Sequence, residues 1–279
     1  LRRSPGSVES VNSDGADGPV RAGWRGVVVP TEHGGWGLTA EPVLLGLLVA
    51  FSWPGLLIGS AALLAFLART PVKLIAVDRR RGRWLERDRR AGPVATVELM
   101  LLAALGVVAL VAAGPGWLVP VALAVPLVAV EFWYDVRSRS RRLVPELCGA
   151  AGVSATGAAI IIAGDASATL AAAAWLVLSG RVLASVPFVR TEIQRLRHGD
   201  VSRRPADRLQ VVGVVVAAVA VVLDRSVALG AGAVALLAVV QTVWMRRTPV
   251  PPATTIGIRQ MVVGFAVVAA TAIGVLASS

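Results

Sequence analysis

The chain has 279 residues, 56% hydrophobic and 16% charged, with a mean hydropathy of +0.71. A soluble domain carries about a quarter charged residues. No soluble core of this size hides so many runs of Val, Ala and Leu, whereas a bilayer accepts them. The net charge is +11, but the arginines sit between apolar runs and not on a basic soluble domain, so nucleic acid is not expected as a partner. Cys148 is alone, forms no internal disulfide and says nothing about compartment. With only His33 and His198 besides, a metal site built on His and Cys is not expected.

In chain order, residues 1–29 are rich in Gly, Ser, Asp and Pro and read as a disordered cytoplasmic tail. The opening LRRSPG is followed by no apolar stretch, so a cleavable signal peptide is not expected. Residues 30–279 read as a transmembrane domain. Apolar segments fall near 36–53, 55–77, 94–113, 116–134, 145–163, 167–189, 208–223, 227–244 and 256–276. Each approaches the ~20 residues that cross ~30 Å of hydrocarbon. Alternate connections are tight (SWPG, GPG, AGDAS, DRS) and the others are long and charged. The expected fold is all-α, a polytopic transmembrane helical bundle of about nine spans.

Charge distribution sets the orientation. On this span map, all of the 28 Lys and Arg residues except Arg225 fall on one side. Loops rich in Lys and Arg face the cytoplasm. The expectation is a multi-pass cell-membrane protein with its N-terminus cytoplasmic and its C-terminus outside.

Ionisable residues within a membrane are costly and mark function by default. Those of this chain gather toward the basic side of the map. Glu32, His33 and Glu41 lie at the start of span 1, Arg69 and Lys73 near the end of span 2, and Glu98 at the opening of span 3. Glu131 and Asp135 close span 4, Glu146 opens span 5, Arg181, Arg190 and Glu192 close span 6, and Arg259 and Gln260 open span 9. The simplest reading is interfacial residues that reach headgroups and pair with one another. Some positions ask for more. Arg69 and Lys73 (the only lysine) are four apart on one helix face, and Pro71 between them loosens the backbone. They are expected to hold an anionic headgroup or phosphate. Arg181 is too deep to reach the interface and should face a protein interior or wet cavity, with Glu131 or Glu146 as partner. Glu131 and Asp135 share a face and, with Glu146 and Glu192, offer carboxylates for a cation or a proton. His33 and Glu131 are the candidate catalytic bases. The string PTEHGGWG, residues 30–37, reads as a helix start. Glu32 complements the dipole, the glycines allow close approach and Trp36 anchors the interface. The basic run 78–90 suits binding to anionic lipid headgroups.

The Pro-x-Glu-His-Gly-x-Trp opening, followed by many apolar spans and a TEIQR stretch after span 6, resembles the YwiC-like family of bacterial membrane proteins. In layout the chain is also similar to the UbiA superfamily of intramembrane prenyltransferases. That resemblance implies nine spans, with Asp-rich magnesium-diphosphate motifs after spans 2 and 6. The sequence departs from those motifs. It reads RTPVKLIAVDRRRGRWLERD over 69–88 and RTEIQRLRHGD over 190–200, so magnesium is not expected as a cofactor.

The function expected from these residues is a cytoplasm-facing polar cavity that binds an amphipathic or anionic lipid-like ligand, with Arg69, Lys73 and Arg181 holding its anionic end, Glu32, Asp135, Glu146, Arg190 and Glu192 as further ligand-binding residues, and group transfer left open. A secondary transporter or ion-coupled carrier and a non-enzymatic partner subunit are the alternatives. Membrane lipids are the expected partners, and no dimer face stands out among the many small residues.

Overall fold

The computed structural model describes residues 33–139, 141–199, 201–247 and 249–278, and the regular elements among them are all helical. Their order is α1 (His33–Val49), α2 (Trp53–Arg80), α3 (Glu86–Ala113), α4 (Leu118–Val136), α5 (Leu143–Ala163), α6 (Ala168–His198), α7 (Arg204–Leu223), α8 (Ala228–Met245) and α9 (Ala253–Ser278). A 3-10 turn, Arg225–Val227, joins α7 to α8. Eight of these helices are long and apolar enough to cross a membrane, and α1 is a shorter apolar helix. The chain is a multi-pass integral membrane protein. The tail expected over 1–29, and Glu32, lie outside the described residues.

Helix ends are set by local chemistry. Ser52 accepts the backbone N–H of Gly55 at 3.0 Å, and Pro54 sits in the first turn of α2, where no helical N–H is lost. Ser167 caps α6 through the N–H of Leu170. Gly114, with φ +69°, ends α3 in a conformation that favours glycine. Several helices outrun the apolar segments of the sequence. α3 begins at Glu86 and not near residue 94, and α6 runs on to His198, because charged turns continue helically beyond the hydrocarbon.

The packing gives two groups. α2 to α5 form one and α6 to α9 the other, with α5 against α6 and α1 lodged between α5 and α9. α5 and α6 are the most enclosed helices, whereas α3 and α4 leave most of their apolar residues bare, as lipid-facing helices do. Close backbone approach replaces large side chains at the tightest crossing. A Cβ on Gly180 of α6 would stand 2.5 Å from the carbonyl of Gly213 on α7, and the converse holds.

The charged connections are tied together at one end of the bundle. Arg80 donates to the Val136 carbonyl and Arg81 to Ser138 Oγ, which joins the ends of α2 and α4. Arg190 donates to the Arg141 carbonyl, and Arg195 to the Arg247 carbonyl. This basic end carries the polar sites that follow.

Candidate functional site

Four charged residues from two helices form the first cluster. Arg69 and Lys73 stand one turn apart on α2, and Glu131 and Asp135 one turn apart on α4. Arg69 Nη2 lies 2.7 Å from Glu131 Oε1 and 2.7 Å from Asp135 Oδ2, and its Nε donates to the same Asp135 oxygen at 3.0 Å. Lys73 Nζ donates to Asp135 Oδ1 at 3.1 Å. The Asp135 side chain is fully buried. Two cations meet two carboxylates, so the tetrad is electrically balanced. Gly149 on α5 makes room for it, since a Cβ there would overlap the Glu131 carboxylate.

The second cluster lies in the interior. Arg181 of α6 donates to Glu41 of α1 at 2.7 Å and to the Gln260 carbonyl of α9 at 3.1 Å, and both charged side chains are below 5% exposed. Gly264 of α9 lets the pair fit, because a Cβ there would overlap the Glu41 carboxylate. Glu131 and Glu146, the partners expected for Arg181 from the sequence, are elsewhere. Glu131 belongs to the tetrad, and Glu146 faces Arg190 at 3.4 Å. The wedge of α1 between α5 and α9 supplies Glu41 instead. From Gln260 a row of amides continues. Gln241 of α8 donates to Gln260 Oε1 and to Ser185 Oγ, Gln210 of α7 donates to Gln241 Oε1, and Thr242 donates to Gln210 Oε1. Most of these buried polar atoms satisfy one another, as a membrane interior demands, while Arg181 Nε and Gln260 Nε2 have no partner among the described residues.

The third feature is a cavity of about 200 Å³ at the basic end, lined in part by Phe188, Glu192, Trp244, Arg247, Ile256 and Arg259. Glu192 is charge-paired with Arg195, one turn on in α6, at 2.6 Å, and both side chains are almost fully buried. Arg190, two residues before Glu192, faces Glu146 instead. Arg259 lies over the Trp244 ring, 5.2 Å from its centroid. Among the described residues neither Arg247 nor Arg259 is paired with a carboxylate. The cavity therefore joins an aromatic and aliphatic wall to net positive charge. The sequence offered Arg259 as a residue opening span 9. It offered no sign of Arg247, whose place depends on how the α8–α9 connection returns.

Two of the positions singled out in the sequence acquire definite surroundings. Trp36 of the opening motif meets Phe66 of α2 edge-on, with ring centroids 5.1 Å apart, so the Gly-Trp part of that motif packs α1 on α2. Glu98 does not open its helix. It lies twelve residues inside α3 and is buried. The His33 backbone begins α1, and its side chain lies outside what is described.

A family model described as YwiC-like protein matches residues 29–161, from just before the opening motif to the last turn of α5. No curated protein matches the chain, and no solved structure does.

Proposed function

We propose that this chain, YwiC-like over residues 29–161 and built of membrane-crossing helices, binds an amphipathic anion of lipid-like character in the cavity between α6, α8 and α9. The observation that carries the reading is the pairing of apolar wall and uncompensated charge there. Phe188, Trp244 and Ile256 offer contact to a tail or ring, and Arg247 and Arg259 offer charge-assisted donors to an acidic head. Arg69, Lys73 and Arg181 are each held by a carboxylate, and so hold the bundle together in preference to holding a ligand. The basic end faces the cytoplasm on the distribution of arginines, which opens the cavity to that side.

The test is native mass spectrometry of the protein purified in mild detergent. Wild type and Arg69→Ala/Lys73→Ala retain an anionic amphiphile, and Arg247→Ala/Arg259→Ala loses it. Retention by all three proteins, or no bound species in wild type, overturns the reading.

A second reading has its own support. The Glu41–Arg181 pair and its row of glutamines place polar groups within the bundle, as an ion-coupled carrier requires. Proteoliposomes that show no substrate-dependent proton movement, nor any change on Glu41→Gln, dismiss it.

A further inference from the structure

The most apolar of the long helices, α3, carries a buried carboxyl that no described cation meets. Glu98 is 8% exposed, and its Oε2 is buried with no hydrogen-bond partner. It stands about 18 Å along the helix from Glu86, at ~1.5 Å per residue. The buried residues of α3 are Asp88, Ala91, Ala95, Glu98 and Ala109. The first four are three or four apart and Ala109 lies eleven further on, about three turns, so they share one stripe, and the helix that α3 packs against is α2. Around it Val97, Leu99, Met100 and Leu101 are exposed and apolar. Glu98 thus lies in the α2–α3 seam, at the edge of the lipid.

Every nearby charge on the two helices has another engagement or another level. On α2, Arg69 and Lys73 are held by Glu131 and Asp135 on the α4 side, and Asp78 is gripped by Arg87 through two hydrogen bonds of 2.7 Å. Arg79 lies over Trp84, and Arg80 reaches the Val136 carbonyl. On α3, Asp88 accepts the Leu85 N–H, Arg90 pairs with Glu86, and Arg89 lies in the first turn with them. An ionised carboxylate left alone at this depth is strongly disfavoured. A carboxyl that keeps a proton is tolerated there.

We propose that Glu98 is a membrane-embedded proton-binding site at the α2–α3 seam, separate from the α6–α8–α9 cavity. Its ligand is a proton exchanged with the surroundings through the narrow seam. The site needs no metal and no second carboxylate.

The experiment uses the full chain in phosphatidylcholine vesicles at neutral pH. Dicyclohexylcarbodiimide partitions into lipid and adds to protonated carboxyls, which gain the mass of one reagent molecule. Peptide mapping of the wild type is expected to place one adduct on Glu98, and Glu98→Gln to lose it. In parallel, the infrared carbonyl band of a protonated carboxyl is expected in wild type, to shift in D2O, and to be absent in Glu98→Gln. No adduct on Glu98, no such band, or a band that ignores D2O overturns the proposal. If Glu98→Gln fails to fold, the wild-type adduct position and the D2O shift decide alone.

Discussion

Arg181 on α6 and Glu41 on α1 meet at 2.7 Å across 140 residues of sequence, in the most enclosed part of the bundle. The pair joins the helix wedged between the two groups to the core of the second group, and the Gln260 carbonyl of α9 completes the contact. Two charges buried together cost much in desolvation and regain it through mutual attraction and added hydrogen bonds. Removing one strands the other. The relationship is therefore more revealing when one partner is lost than when both are.

Arg181→Ala is expected to destabilise the protein by about 3–5 kcal/mol, because Glu41 is left buried without a cation. The double variant Arg181→Met/Glu41→Leu should recover most of that loss, since no charge remains to be solvated. Thermal unfolding in one detergent, run as a double-mutant cycle, decides it. Two single losses that simply add would show that the pair is not coupled.

Gly264→Ala probes the same place from α9. The added methyl would overlap the Glu41 carboxylate, so a loss of about 1–3 kcal/mol is expected from overpacking. Gly106→Ala is the control, because a Cβ there meets nothing within 4 Å. Equal thermal transitions for the two variants would mean that the crossing is looser than the contact implies.

The span layout was legible because each helix must hide its backbone and show apolar side chains to lipid, and hydropathy records that directly. The shared faces of Arg69 with Lys73, and of Glu131 with Asp135, followed from helical spacing. Their mating across α2 and α4 did not, because neither face names its neighbour. Arg181 shows the limit most plainly. Its depth marked it as an interior residue, but its partner depends on α1 lodging between α5 and α9, which no periodicity encodes. The cavity was harder still. Arg247 enters it through a turn beyond α8, and turns carry no apolar signal. Glu98 was misplaced because hydropathy marks where hydrocarbon begins, and α3 begins eight residues earlier, at Glu86.

The tetrad should rank its members by burial. Asp135→Asn removes a fully buried carboxylate that receives both Arg69 and Lys73, and a loss of about 3–5 kcal/mol is expected. Lys73 is 29% exposed and contributes one contact, so Lys73→Ala should cost no more than about 1 kcal/mol. Thermal unfolding that reverses this order would move the energetic centre of the cluster away from Asp135.

The proposed orientation has a direct check in a Cys148→Ser background. Ala168→Cys, at the exposed start of α6, should react with a membrane-impermeant maleimide in intact cells. Trp84→Cys, in the exposed α2–α3 turn, should react only after permeabilisation. The opposite pattern would invert the molecule and place the cavity outside.

Trp244 separates packing from ligand binding in the α6–α8–α9 cavity. Its ring lies under Arg259 and 6.3 Å from the Phe188 ring, centroid to centroid. The cation–π contact contributes about 0.5–2 kcal/mol, so Trp244→Ala should lower stability modestly and also strip the cavity of its largest apolar surface. Trp244→Phe keeps a ring for Arg259 and for a ligand tail. If the cavity binds an amphiphile, Trp244→Ala should lose the co-purified species in native mass spectrometry and Trp244→Phe should keep most of it. The two variants should differ far less in thermal stability than in retention. Parallel losses of retention and stability in both would identify Trp244 as a packing residue and move the binding site away from this cavity.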